Sequence, residues 1–144
     1  MKLQPVAPDE NQKIKNMKPK KIWANFGVSD LERTTKFYTD LGFKSNGASN
    51  DLTSFFMSED NFIIHFFLKE VLKTNTSLHL VDPEKGNEII FTLSAETKED
   101  VDKWAKEVEP AGGKLISKPE AFGEGYYGFV FADPDGHKFN VFYM

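Results

Sequence analysis

Cysteine is absent from the 144 residues of this chain, which excludes disulfide bonds, thiolate metal sites and a cysteine nucleophile. An excess of basic charge is also missing, since 18 Lys and Arg stand against 22 Asp and Glu and give a net charge of −4. A nucleic-acid-binding protein normally carries a basic patch. The sequence has no apolar run long enough to span a bilayer and no stretch of signal-peptide type. We therefore expect a cytoplasmic protein with neither a nucleic-acid nor a membrane partner.

Aromatic residues, by contrast, are abundant, with 14 Phe and a hydrophobic share of 40%. This composition supplies the apolar surface that the core of one folded domain requires. Residues 1–20 contain Pro and Lys without an apolar pattern, and we interpret them as a flexible leader. Residues 21–144 are predicted to form a single domain.

The domain begins with a module at residues 21–68. A strand is predicted at Ile22–Val28, and a helix follows it. Ser29 and Glu32 have capping-box spacing at the start of this helix, and Gly42 is suited to end it. Three short strands complete the module, at residues 43–45, 54–57 and 62–68, with a polar turn at 46–50.

A second cycle follows a long connection at residues 69–87. Module two, residues 88–144, is predicted to begin with a strand that Glu88 opens, and to continue with a helix from near Thr97. Three more strands are expected at 114–117, 127–131 and 138–143, with a turn at 133–136 between the last two. The order strand, helix, three strands therefore occurs twice, which indicates a duplicated β-α-β-β-β module.

Several short strings carry a family resemblance. They are Val28-Ser29-Asp30-Leu31-Glu32-Arg33 with Phe37-Tyr38 and Leu41-Gly42-Phe43, then Ala111-Gly112-Gly113, and finally Asp133-Pro134-Asp135-Gly136-His137. In these strings the chain resembles the vicinal oxygen chelate superfamily of glyoxalases, bleomycin-resistance proteins and extradiol dioxygenases. The resemblance implies an α+β fold in which two tandem β-α-β-β-β modules form a curved mixed sheet around a ligand or metal. Asn25 and Glu88 look most like the branch of predicted lactoylglutathione lyases. Relatives usually pair, so we expect a homodimer.

Metal-using members of that superfamily place four ligands inward, two from each module. The resemblance carries these positions to Trp23, His65, Glu88 and Asn140. Trp offers only an N–H donor, and Asn offers a neutral amide oxygen. His65 and Glu88 are the two competent metal ligands, and they would hold a divalent ion only weakly unless substrate or water completed its shell. We therefore expect no firmly bound cofactor, and the pattern disfavours a conventional metal-dependent glyoxalase.

His65 lies in an otherwise apolar strand, where the ordinary interpretation is a buried histidine hydrogen-bonded to a neighbour. If Glu88 points into the same cup, the two form a carboxylate–imidazole pair that could act as a catalytic general base. Otherwise Glu88 is an exposed residue at the start of a strand. Trp23 is most simply a core residue, and His137 a structural residue beside its turn.

The remaining candidates are ligand contacts. The segment 122–128 contains three glycines and the pair Tyr126 and Tyr127. The matching loop of relatives borders the cup, so either tyrosine could touch a ligand, although a flexible lead-in to a hairpin explains the segment equally well. Strand alternation places Phe67 on the face of His65. The ligand-binding candidates are Trp23, Asn25, Phe67, Tyr126, Tyr127 and Asn140.

Three functions remain open from the sequence. The first is a protein of unassigned specificity that binds a small aromatic or oxygenated molecule, since an aromatic cup with few polar anchors suits such a ligand. The second is a lyase or isomerase, lactoylglutathione lyase-like, that uses His65 and Glu88 with or without a divalent metal. The third is a structural or regulatory domain whose cup is vestigial.

Overall fold

A computed structural model describes residues 3–7 and 17–144, apart from the side chain of Phe122. Most of the predicted leader lies outside the described residues, and residues 3–7 and 17–20 have no helix or strand. No helix in the described ranges is long and apolar enough to cross a membrane. The elements are β1 (Trp23–Val28), α1 (Leu31–Asp40), β2 (Lys44–Ala48), β3 (Leu52–Phe56), β4 (Ile63–Leu68), α2 (Lys69–Thr76), β5 (Phe91–Ser94), α3 (Lys98–Val108), β6 (Lys114–Leu115), β7 (Glu120–Phe122), β8 (Tyr126–Ala132) and β9 (Lys138–Tyr143).

The strands form two mixed sheets with one shared topology. Their orders are β1-β4-β3-β2 and β5-β9-β8-β6, and β7 pairs with β8. In each sheet the first strand runs parallel to the last strand of its module, and the other pairs are antiparallel. This arrangement confirms the α+β class, and each module contributes a mixed sheet of its own.

The ends of α1 and α3 are built alike, as a duplication requires. Gly42 has φ 96° and donates its backbone N–H to the carbonyl of Thr39 at 3.0 Å. Gly112 has φ 106° and donates to the carbonyl of Glu109, also at 3.0 Å. Positive φ favours glycine, so both helices end where the sequence offers one.

One aromatic core lies between the helices and the two sheets. Phe26 of module one contacts Phe91 and Phe139 of module two, with ring centroids 5.8 and 6.4 Å apart. Tyr38 of α1 also reaches Phe139, at 6.2 Å. Burying such a side chain contributes roughly 1.5–3 kcal/mol, so the core stabilises both modules together.

The family signatures of the two modules meet in a hydrogen-bonded contact. Asp135 Oδ1 accepts from the backbone N–H and the hydroxyl of Ser29 and from Nη2 of Arg33, each at 3.0 Å. The predicted capping role of Ser29 is therefore wrong, because Asp30 is the N-cap of α1 and accepts from the N–H of Arg33. Ser29 instead holds the start of α1 against the turn of module two.

A second, buried contact lies beside the first. Asp133 Oδ2 accepts the hydroxyl of Tyr38 and Nδ1–H of His137, both at 2.8 Å. The ring of His137 also stacks on Phe26 at 4.3 Å. Burial, followed by the charge of Asp133, raises the pKa of Tyr38 well above its usual value, which keeps the phenol protonated as the donor. The structural interpretation of His137 agrees with these contacts.

Several elements differ from those expected, β7 among them, which has no counterpart in the predicted order. The strand β5 begins at Phe91, which leaves Glu88 in an exposed bend before it. The polar residues 46–48, predicted as a turn, belong to β2, an exposed edge strand that needs no apolar alternation. The segment expected to be a connection contains α2, which buries only Leu72 and so has almost no apolar period.

Candidate functional site

The candidate site lies on one face of the first sheet. In the ladders, Asn25 of β1 pairs with His65 of β4, which pairs in turn with Ser54 of β3. Paired residues point to the same side of a sheet. The His65 face is defined here as Trp23, Asn25 and Gly27 of β1, Ser54 and Phe56 of β3, and Ile63, His65 and Phe67 of β4.

Aromatic rings flank His65 on this face. Trp23 lies edge-on to the imidazole with centroids 6.1 Å apart, and Phe67 does the same at 6.0 Å. Trp23 is 50% exposed, so its simplest interpretation as a core residue is wrong. The buried apolar residues of this sheet, such as Phe66, lie on the opposite face. The face therefore presents a half-exposed aromatic surface around one imidazole.

A hydrogen-bonded relay stands behind the imidazole. Ser54 Oγ lies 2.8 Å from His65 Nδ1 and 3.1 Å from Nδ2 of Asn46. Neither Ser54 nor Asn46 was among the residues predicted from the sequence. A serine in a strand is unremarkable by itself, and only the register of β3 against β4 places it opposite His65.

The imidazole of His65 is neutral at neutral pH. Burial lowers its pKa from the usual value, since a partly desolvated ring holds a proton less readily. Asn25 beside it in the ladder is exposed and carries an amide that can both donate and accept. The site therefore offers uncharged polar groups set among aromatic rings.

One end of the His65 face is closed by α2 and the chain that follows it. A Cβ atom placed on Gly27 would lie 3.1 Å from Leu80 Cδ1 and 3.2 Å from Lys69 Cγ. Leu72 of α2 is also near, at 3.8 Å. The helix that the sequence pattern missed thus forms a wall of the site, and glycine leaves room for it.

Asn140 occupies the equivalent place in the second sheet. It pairs with Thr92 of β5 and Val130 of β8, and its Nδ2 donates to Thr92 Oγ1 at 3.3 Å. In β1, Trp23 lies two residues before Asn25, the partner of His65. In the second module, the residue two before Thr92, the partner of Asn140, is Ile90 and not Glu88. Glu88 lies two residues upstream of the position that the resemblance assigned to it.

The two candidate tyrosines lie on opposite faces of β8, because strand side chains alternate. Tyr126 stacks on Phe142 with centroids 5.6 Å apart. The hydroxyl of Tyr127 donates to Asp102 of α3 at 2.5 Å, and this bond raises the pKa of the phenol. Tyr127 therefore ties β8 to α3, which leaves Tyr126 as the better placed ligand candidate.

The structure does not place Glu88 beside His65. Glu88 lines a cavity of about 220 Å³ whose wall includes Phe26, Ile89 and His137, and His65 is not part of that wall. Another cavity, of about 700 Å³, lies near Trp104 of α3 and contains none of the predicted site residues. The expected carboxylate–imidazole pair thus has no geometric support.

The residues present do not fit a metal centre. Within residues 3–7 and 17–144, no group of three or more His, Asp or Glu could hold a metal ion. Trp23 has no lone pair to donate to a metal, and Asn140 offers only a neutral amide oxygen, a weak ligand for a divalent ion. His65 has Nε2 left to offer, since Nδ1 is bonded to Ser54, and a single imidazole does not make a metal centre. The described residues therefore supply no ligand set for a metal-dependent step.

Comparisons with known proteins agree with this architecture. A hypothetical protein from S. aureus matches with a TM-score of 0.77 and 28% identity over 88% of this chain and 95% of that one. A glyoxalase-related enzyme from Fulvimarina pelagi has the same TM-score at 19% identity, with coverage of 88% and 89%. A glyoxalase/bleomycin resistance protein/dioxygenase family enzyme from Burkholderia phytofirmans PsJN reaches 0.69 at 21% identity, with coverage of 84% and 95%.

Among curated proteins, no sequence matches this chain. A family model does match it, over residues 22–141, and that range contains the whole of the His65 face and every element except the end of β9. The chain belongs to the glyoxalase/bleomycin resistance protein/dioxygenase superfamily.

Proposed function

We propose that this chain binds a small planar molecule, aromatic or oxygenated, on the His65 face without the help of a metal. The observation that carries the proposal is the exposure of Trp23, which lies half-exposed against His65 instead of in the core. An exposed indole beside an imidazole offers a surface on which a planar ring can stack, with few polar anchors around it.

The polar groups of the face support the same function. His65 and Asn25 are uncharged and lie side by side in the ladder, so they can orient a ligand without demanding a charged partner. The wall formed by α2 and Leu80 closes one end of the His65 face, at Gly27. Such a site selects by stacking and hydrogen bonding.

The chain contains two tryptophans, which supply an internal control. Planar aromatic carbonyl compounds, including benzamide and benzoate, are titrated into nitrogen-15-labelled protein while the two indole N–H signals are followed by NMR. We expect the Trp23 signal to shift saturably, the Trp104 signal to stay in place, and His65→Ala to weaken the effect. Shifts of Trp104 alone would place the ligand elsewhere and contradict the proposal.

The same protein also tests the enzymatic alternative. Turnover of a glutathione hemithioacetal, lost in both His65→Ala and Glu88→Ala, would support a lyase of the lactoylglutathione type and overturn a purely binding role. We expect no turnover, because Glu88 does not stand beside His65. A chelator is expected to leave the Trp23 titration unchanged.

We also propose that the protein is a homodimer. β1 and β5 are the end strands of their sheets, and exposed apolar side chains accompany them at Ile22, Ile89 and Ile90. Edge strands with apolar neighbours favour pairing with another chain. Light scattering coupled to size exclusion should give twice the chain mass, and Ile89→Lys should lower it. A monomer at all concentrations would contradict the pairing.

A further inference from the structure

The residues behind His65 are placed by an irregularity in the first sheet. The register of β2 against β3 shifts between Ser45 and Gly47, which makes Asn46 the extra residue of a β-bulge. Through this bulge the Asn46 amide reaches Oγ of Ser54 at 3.1 Å. Ser54 is only 2% exposed, so its hydroxyl depends on protein partners for its hydrogen bonds.

The proton of Ser54 can then be traced. A hydroxyl has one proton to donate and two lone pairs that accept. The Asn46 amide nitrogen is a donor and occupies one lone pair of Oγ. In the described part of the chain, the other side chain bonded to Oγ is His65, through Nδ1 at 2.8 Å. If Nδ1 carried a proton, the buried hydroxyl would face two donors and its own proton would lack an acceptor, an arrangement that proteins avoid.

Resting on the binding role proposed above, we infer that Ser54 and Asn46 are positioning residues that keep the proton of neutral His65 on Nε2. The His65 face then presents an N–H donor to its ligand. The complementary ligand carries an sp² oxygen acceptor, a carbonyl or a carboxylate, on a planar ring that packs against Trp23. Specificity is thus set by two residues that do not touch the ligand.

The surroundings of the imidazole fit this assignment. Trp23 and Phe67 meet the ring edge to face at 6.1 and 6.0 Å and restrict its rotation. Burial lowers the pKa of His65, so the neutral ring is the form whose tautomer matters at neutral pH. Asn25 lies next to His65 in the ladder and can supply a second hydrogen bond to the same ligand.

Long-range proton–nitrogen NMR on the full chain reads the tautomer directly and needs no ligand. In the unmodified protein at neutral pH we expect His65 Nε2 to be protonated and Nδ1 to be unprotonated. Asn46→Asp replaces the donor by a carboxylate that only accepts. Ser54 then donates to that carboxylate and accepts from His65, so the proton moves to Nδ1. Asn50→Asp adds the same charge in the exposed turn after β2 and should leave the tautomer unchanged.

Either of two NMR results would overturn the relay. One is protonated Nδ1 in the unmodified protein, and the other is the same tautomer before and after Asn46→Asp. Asn46 is exposed, so this substitution is not expected to prevent folding. The spectrum of the unmodified protein decides the question even if the variant fails to fold.

Three probes with one ring test the ligand class. Benzamide and benzoate carry an oxygen acceptor, whereas the amidinium of benzamidine only donates. We expect the first two to bind the unmodified protein about tenfold more tightly than benzamidine, and Asn46→Asp to reverse the order. Equal binding of benzamide and benzamidine overturns the acceptor specificity. If none of the three binds while Nε2 is protonated, the relay is supported and the proposed function fails.

Discussion

At the scale of single residues, His65 illustrates how burial and hydrogen-bond partners determine the charge and the donor or acceptor character of a side chain. Its position mid-strand was readable from the sequence, and so was the parity that it shares with Phe67. Its partner was not, because Ser54 comes opposite only through the pairing of β3 with β4. The bulge at Asn46 was hidden as well, since residues 46–50 look like an ordinary polar turn.

The lowered pKa of His65 predicts a pH dependence of stability. An unfolded histidine titrates near pH 6.5, while the folded ring takes up its proton only at lower pH. As the pH falls through about 6.5, the unfolded chain binds more protons at this residue, so the free energy of unfolding decreases. The stability that the neutral His65 ring contributes is therefore fully present above about pH 6.5 and is lost as the pH falls below it.

His65→Gln should remove the part of the acid-induced decrease in the free energy of unfolding that is due to His65. Urea unfolding at about pH 7.5 and about pH 5.5 measures the loss of stability in both proteins. We expect a smaller loss in the variant, because the other two histidines are common to both. A loss that is equal or larger in His65→Gln would contradict the lowered pKa.

At the scale of elements, the two glycines that follow α3, Gly112 and Gly113, are required for different reasons. At Gly112 a Cβ would meet nothing within 4 Å, and the cost of a side chain is the strain of φ 106°. At Gly113 a Cβ would lie 2.6 Å from Phe37 Cε1 and 2.7 Å from the carbonyl oxygen of Ala132. The backbone contact cannot move away cheaply, so sterics decide this position.

Gly113→Ala is therefore expected to destabilise the protein more than Gly112→Ala. Left-handed backbone costs an L residue roughly 1–2 kcal/mol, and overpacking costs about 1–3 kcal/mol and more where backbone must shift. Urea unfolding of the two variants measures the difference, and Gly42→Ala serves as the module-one counterpart of Gly112→Ala. A greater loss at Gly112 than at Gly113 would contradict the steric argument.

What the sequence could reveal about elements depended on apolar patterning. β1, β4, β9, α1 and α3 all bury alternating or helical sets of apolar residues, so they were predictable. α2 buries one residue and β2 none, so neither had a readable period. The start of β5 was misplaced because Ile89 and Ile90 are apolar yet exposed, and therefore resemble strand residues.

At the scale of the whole molecule, the contact of Tyr38 with Asp133 joins the two modules. The hydroxyl is fully buried and donates to a buried carboxylate. Tyr38→Phe keeps the ring and leaves Asp133 with the bonds from His137 and from two backbone N–H groups. We expect a loss of about 1–3 kcal/mol, the usual cost for a buried partner.

Tyr126→Phe is the matched control for this loss. Tyr126 is half-buried and stacks on Phe142, and a substitution of this kind usually changes stability by less than about 0.5 kcal/mol. Urea unfolding compares the two variants with the unmodified protein. Equal stability of the two variants would show that the Tyr38–Asp133 bond does not hold the modules together.

The shared aromatic core predicts that the modules unfold together. Phe26 packs on Phe91 and Phe139 across the module boundary, and Phe43 of module one packs on Trp104 of α3 at 5.7 Å. Neither sheet can therefore lose its partner without exposing the apolar surface of the other, which favours an all-or-none transition.

The two tryptophans report on this cooperativity separately, because Trp23 belongs to module one and Trp104 to module two. The Trp104→Phe variant retains Trp23 as its sole indole, and the Trp23→Phe variant retains Trp104. Within each variant, the urea midpoint of tryptophan fluorescence should coincide with that of far-UV circular dichroism, whatever the stability of the variant. A fluorescence transition of Trp23 that precedes the dichroism transition would show that module one unfolds alone. The cross-module packing of Phe26 would then contribute little, because the second sheet would survive without it.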